Sequence, residues 1–170
     1  MKTIVKYSLA LGATLLGWDF LFYNYLWKSE SALLALLPSV FLVGFYIFMA
    51  IKELKLKKFD GKITYKDASL NGLLVMIFAA FIYSTATYFT FPYGNSSFKD
   101  DYMTIAKEKV ANDATMDDET KIRTVTSIET SFSASQMARS NFISVIIYGT
   151  IASLLSASIQ RKKLDIPISE

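Results

Sequence analysis

Four long apolar runs constrain this chain more than anything else in it. A helix needs about 20 residues to cross a ~30 Å hydrocarbon core. Residues 7–27, 32–51, 68–91 and 141–159 each meet that length. A soluble domain of 170 residues would spread its apolar positions in patterned faces instead. With 52% hydrophobic and 19% charged residues, the composition agrees with a membrane protein. The fold expected is all-α: an integral membrane four-helix bundle, taken as one domain over residues 1–170. The first run resembles a signal peptide in following Lys2 and Lys6. It exceeds the ~7–15 residues of a signal core and ends in aromatics without a small-residue cleavage site, so a retained helix is expected.

Lysine and arginine set the direction, because loops on the cytoplasmic side retain them. The segment between spans two and three carries Lys52, Lys55, Lys57, Lys58, Lys62 and Lys66. With Lys2, Lys6, Arg161, Lys162 and Lys163, one side of a four-span chain holds 11 of the 18 basic residues. The other side has Lys28 and a long segment, residues 92–140, with six basic and eight acidic residues. Both termini are therefore expected in the cytoplasm. Trp18, Tyr23, Tyr25 and Trp27 near the end of span one, and Tyr83, Tyr88 and Tyr93 near the end of span three, mark the outer interface.

Local signals punctuate the spans. Pro38 is expected to kink or delay span two. After an Asp60-Gly61 turn, Thr64 and Asp67 form a capping box that opens span three, and Pro92 follows its end. In the outer segment, Phe98, Tyr102, Ile105, Ala106 and Val110 recur at helical spacing behind an N-cap at Ser96 or Ser97. Beyond Asn112-Asp113, a second capping box from Thr115 to Asp118 precedes the stripe Ile122, Val125, Ile128 and Phe132. The expectation is an extracytoplasmic helical hairpin between helices three and four, its second helix running on into span four. It either caps the bundle or offers residues 96–134 to an envelope or membrane protein.

This order of features is similar to the bacterial membrane family catalogued as domain of unknown function 4199, of Bacteroidetes type. The resemblance is carried by the lysine-rich loop leading into Gly61-Lys-Ile-Thr-Tyr-Lys-Asp-Ala68, by Phe91-Pro92 before a mixed-charge helix, and by Met116-Asp-Asp-Glu-Thr-Lys-Ile122. It implies topology and an inner-membrane address, with no activity and no functional residues to transfer.

Chemistry is narrowed by elimination. The chain has no cysteine and no histidine, which removes disulfides, thiolate catalysis, the commonest general base and the commonest transition-metal ligand. Phosphate-binding and nucleophile-elbow motifs are absent. A net charge of +3 and mixed outer charges argue against nucleic acid. No enzyme and no cofactor are expected. The acidic pairs Asp100-Asp101 and Asp117-Asp118, the latter followed by Glu119, sit at helix starts, where carboxylates complement the dipole.

One ionisable residue lies well inside a span. Asp19 falls past the midplane of span one, where a carboxylate costs up to roughly 2.5–3.5 kcal/mol. A hydrogen bond from Tyr23 would relieve it. Together with the hydroxyls Ser84, Thr85, Thr87, Tyr88 and Thr90 of span three it forms a candidate proton or cation path; Asp19, Tyr23 and Thr87 are its core. The other reading is a carboxylate satisfied near the outer headgroups. Asn71 is expected to bond a neighbouring helix. Gly149 with Ser153, and Ala13 with Gly17, are small residues four apart that allow close helix approach. The leading expectation is a non-enzymatic protein acting through protein contacts. The alternative is a small transporter or channel subunit using Asp19. Four spans enclose little volume, so either favours an oligomer or a larger complex in the lipid bilayer.

Overall fold

In a computed structural model, residues 1–26, 32–94 and 96–161 are described. Trp27, Lys28, Lys162 and Lys163, the cap at Ser96 or Ser97 and the side chain of Tyr93 lie outside the described part. Six α-helices follow in order: α1 (Lys2–Leu21), α2 (Ala32–Lys58), α3 (Tyr65–Gly94), α4 (Ser96–Ala111), α5 (Asp118–Ser131) and α6 (Ala134–Gln160). A single π-helical turn, Phe22–Leu26, extends α1.

The helices outrun the apolar segments because helix formation does not stop where hydropathy does. Beyond residue 51, α2 continues through Glu53, Lys55, Lys57 and Lys58, good helix formers, with a Glu53–Lys57 pair at 2.9 Å one turn apart. Pro38 lies inside α2 and does not delay its start at Ala32. The turn that follows places Asp60 and Gly61 at φ of 47° and 79°, left-handed backbone that glycine adopts at no steric cost. Thr64 then caps α3, its Oγ1 accepting from the Asp67 amide at 3.1 Å and donating to Asp67 Oδ2 at 2.7 Å.

Four helices, α1, α2, α3 and α6, are long and apolar enough to cross a membrane. Their packing differs from that of a soluble bundle in its apolar exterior. Small and hydroxyl residues point inward beside Leu11, Leu15, Ile47 and Ile51: Ser8, Ala79, Ala80 and Ser153 are fully buried, with Gly72 and Gly149 also buried. Phe41, Phe81, Ile147, Ile151 and Leu155 point outward. Water would not tolerate that apolar belt, whereas hydrocarbon leaves it unpenalised and close van der Waals packing holds the helices together. Helix α3 is central, touching α1, α2 and α6, with its broadest contact to α6.

Gly149 and Ser153 do form a close crossing, against Met76 and Gly72 of α3. Ala13 and Gly17 do not: Ala13 and Gly17 face outward, and nothing approaches the Cβ position of Gly17. The close pair on α1 is Ser8 with Gly12. Ser8 Oγ donates within hydrogen-bond distance of Ile4 O (2.9 Å) and Val75 O of α3 (3.0 Å), and Gly12 meets Ile82. The inward stripe Ile4, Ser8, Leu11 and Leu15 passes on the opposite face from Ala13 and Gly17. Among the described residues, Asn71 bonds its own helix and not a neighbour, Nδ2 donating to Asp67 O one turn back at 2.7 Å.

At one end of the bundle, Glu53 accepts from Lys6 (2.9 Å), Lys57 (2.9 Å), Tyr7 (3.0 Å) and Thr3 (3.3 Å). Beside it, Lys55 Nζ donates to Gln160 O and Gln160 Nε2 to Phe48 O, both at 2.8 Å. The start of α1 and the ends of α2 and α6 therefore meet at a single lysine-rich end, the grouping expected from the charges.

Helices α4 and α5 pack on each other with opposed chain directions, through Tyr102 with Phe132 and a Lys107–Glu129 ion pair at 2.7 Å. Helix α5 is not continuous with α6. It ends at Phe132, and Ser133 caps a new helix by accepting from the Gln136 amide at 3.3 Å. Nor does Thr115 cap α5. Asp113 Oδ1 takes both Thr115 N (2.8 Å) and Oγ1 (2.6 Å), and Asp117, as good a capping residue, accepts from Thr120 N at 2.8 Å.

Hydrogen bonding from the Thr120 side chain, and then from its amide, holds the Asp117 carboxyl below the usual range. A depressed folded-state pKa stabilises above the unfolded value and loses its effect as pH falls through the folded one. Amide exchange at Thr120 should therefore accelerate, beyond the intrinsic rate, as pH drops below about 4. The same acceleration is expected at neutral pH in Asp117→Ala, read by deuterium exchange.

Candidate functional site

Three inward stripes end in polar residues at the bundle end away from the lysines. On α1 the series Ile4, Ser8, Leu11, Leu15 continues one turn to Asp19. On α3, Met76, Ala80 and Tyr83 lead to Thr87. On α6, steps of four run back from Ser153 through Gly149 and Val145 to Asn141. Asp19 lies 13 residues beyond Lys6, about 20 Å along the helix at ~1.5 Å per residue.

The three ends meet. Tyr83 OH donates to Asp19 Oδ2, and Asn141 Nδ2 reaches the same oxygen at 3.5 Å, a weak bond at that length. Asn141 also donates to Thr87 Oγ1 at 3.2 Å, and Thr87 Oγ1 donates to Tyr83 O at 2.9 Å. Tyr83 and Thr87 are 5% and 4% exposed, so these contacts are made inside the bundle. Among the described residues, every ion pair lies elsewhere, and no lysine or arginine pairs with Asp19.

Asp19, Tyr23 and Thr87 thus come together, but with different partners from those expected. The hydroxyl on Asp19 is that of Tyr83, expected at the lipid interface and found buried. Tyr23 sits in the π-helical turn and lines the same cleft, its ring edge-on to Phe91 at 6.4 Å between centroids. That turn follows Asp19 directly; Asn24 Nδ2 bonds Phe20 O at 2.7 Å within it. Single π-turns inside helices recur at functional sites. Of the span-three hydroxyls, Thr90 also lines the cleft, whereas Tyr88 is 49% exposed on the outer surface.

Asn141 is the residue that reading the sequence missed. Stepping by fours from Gly149 and Ser153 would have found it, since small residues mark the face of α6 that meets α3. The cleft itself is small, about 160 Å³, lined by Leu16, Asp19, Phe20, Tyr23, Thr87, Thr90 and Phe91. A carboxylate oriented by a phenol and an amide, in an aromatic and hydroxyl lining, can accept protons or hold a small cation.

No curated protein and no solved structure matches the chain. A family model does match, over residues 6–162, and the chain belongs to that family, described as protein of unknown function (DUF4199).

Proposed function

We propose that this is a non-enzymatic protein of the bacterial inner membrane, crossing it four times with both termini cytoplasmic. Its α4–α5 pair then lies outside and makes contacts with another envelope or membrane protein. The lysine-rich end, where α1 begins and α2 and α6 finish, supports the orientation.

The observation that carries the contact role is how little the outer pair buries. Among residues 99–131 only Val110 is buried, and Tyr102, Ile105 and Ile122 stay 41%, 44% and 68% exposed. Beside Ile122 a shallow concavity of about 510 Å³ runs between α5 and the start of α6, floored by Thr126, Thr130 and Gln136. Helices not needed for spanning, with apolar side chains left uncovered, suit a protein partner better than solvent. Ile122→Asp should reduce crosslinking of a photoreactive residue at position 126 to envelope proteins at least tenfold, with membrane abundance unchanged. Unchanged crosslinks, or an unchanged set of co-purifying proteins after removal of residues 96–134, would sink this reading.

The Asp19 cluster favours a second reading, a small transporter or channel subunit with a proton or cation path. Asp19→Asn should then abolish a proton- or cation-dependent flux in proteoliposomes. A flux that survives the substitution, or none in the unaltered protein, counts against it.

A further inference from the structure

We infer that the cleft beside Asp19 binds the ammonium group of a small amine, presented by a phospholipid headgroup or as a free amine. Both described donors, Tyr83 and Asn141, bond the same oxygen, Oδ2. Oδ1 takes no hydrogen bond from any described residue, and Asp19 lines the cleft. Among the described residues no lysine or arginine pairs with it, so this carboxylate has charge and acceptor capacity to offer a ligand.

The rest of the lining suits an ammonium in particular. Thr87 and Thr90 each spend their hydroxyl proton on a helix carbonyl, Tyr83 O and Ala86 O, at 2.9 Å. Toward the cleft their oxygens can therefore only accept, which is what the N–H donors of an ammonium require. Phe20, Tyr23 and Phe91 contribute aromatic walls, and a cation within about 6 Å of a ring is attracted by its quadrupole. A hard metal ion would prefer six or more oxygens to aromatic walls. At about 160 Å³ the cleft falls well short of the roughly 300–1,000 Å³ that encloses drug-sized ligands, leaving room for a group of a few heavy atoms.

Its position adds a source. Every described lining residue comes from α1, its π-helical turn or α3, and Phe20 and Thr90 among them are exposed on the bundle's outer surface. The cleft thus opens sideways between two helices, toward the surrounding lipid and near their outer ends. A headgroup amine could enter there without leaving the bilayer. The inference rests on the second reading only in giving Asp19 a cationic ligand; it needs no flux.

The test uses the full 170-residue chain. Released from bilayers of equal phosphatidylethanolamine and phosphatidylglycerol and weighed by native mass spectrometry, it should retain the ethanolamine lipid at least tenfold over the glycerol lipid. Asp19→Asn should abolish that preference, and Phe20→Leu should weaken it severalfold. In a second arm, lipid-stripped protein is titrated with free ethanolamine and followed by tryptophan fluorescence, since Trp18 adjoins Asp19. A response to ethanolamine without lipid preference assigns the site to a free amine. No preference and no response overturns the inference, as does a preference that survives in Asp19→Asn. Should Asp19→Asn not fold, the two lipids compared on the unaltered protein and on Phe20→Leu still decide it. Binding without flux in proteoliposomes would remove the transport reading and leave this site standing.

Discussion

Gly149→Ala should destabilise the bundle even though alanine is the better helix former. A Cβ at position 149 would run into Met76 Cγ and lie 2.7 Å from its Sδ and 2.9 Å from its Cβ. Met76 is 3% exposed, and the atoms struck lie near its backbone, so rotating the end of the chain does not clear them. Either α3 and α6 move apart along their broadest contact or Met76 leaves its rotamer. Overpacking of this kind costs about 1–3 kcal/mol, against up to ~1 kcal/mol gained from alanine's helix propensity. The net expectation is a loss of roughly 1–2 kcal/mol in detergent unfolding, and more for Gly149→Leu. Gly17→Ala is the control: nothing stands within 4 Å of its added Cβ, so it should be neutral or slightly stabilising. Met76→Ala should restore part of the loss in Gly149→Ala. Equal effects at positions 149 and 17 would show that the α3–α6 crossing is not as close as described.

The second large effect is expected from Tyr83→Phe. It removes one hydroxyl and leaves Asp19 with the weak 3.5 Å bond from Asn141. A hydrogen bond to a charged group contributes about 1.5–3 kcal/mol, and inside a bundle its loss is not made good by water. Global destabilisation alone would not identify the cause, so the test is a double-mutant cycle with Asp19→Leu. If the phenol acts through the carboxylate, Tyr83→Phe should cost little once Asp19 is gone, giving a coupling of at least ~1.5 kcal/mol. A coupling of a few tenths would mean that Tyr83 contributes packing alone, and the cluster would lose its main donor. The same cycle separates the two polar ends of the molecule. Changes at Glu53, 34 residues along the chain from Asp19 and at the lysine-rich end, should add independently to either substitution.

The four long apolar helices and their grouping by charge were legible from residues alone, because crossing a bilayer would demand a length and an apolarity that no tertiary contact needs to supply. Thr64 capping α3 and the left-handed Asp60-Gly61 turn were legible for a similar reason, since both are settled within a few residues. Asp19 announced itself through its cost in hydrocarbon, and its neighbourhood with Thr87 followed from depth.

What tertiary structure alone decided was rotation: which face of each helix meets which neighbour. Hydropathy carries little of that information here, since lipid and core are both apolar and the outward faces are as hydrophobic as the inward ones. So Ala13 and Gly17, small and correctly spaced, faced outward, while Ser8 and Gly12, a turn away, held the contact with α3. Tyr83, read as an interface aromatic, turned inward, and Asn141 came from a helix 122 residues distant to share its carboxylate. Position along each helix is written in the sequence; the azimuth that assembles Asp19, Tyr83, Thr87 and Asn141 is fixed only when small residues let the helices close.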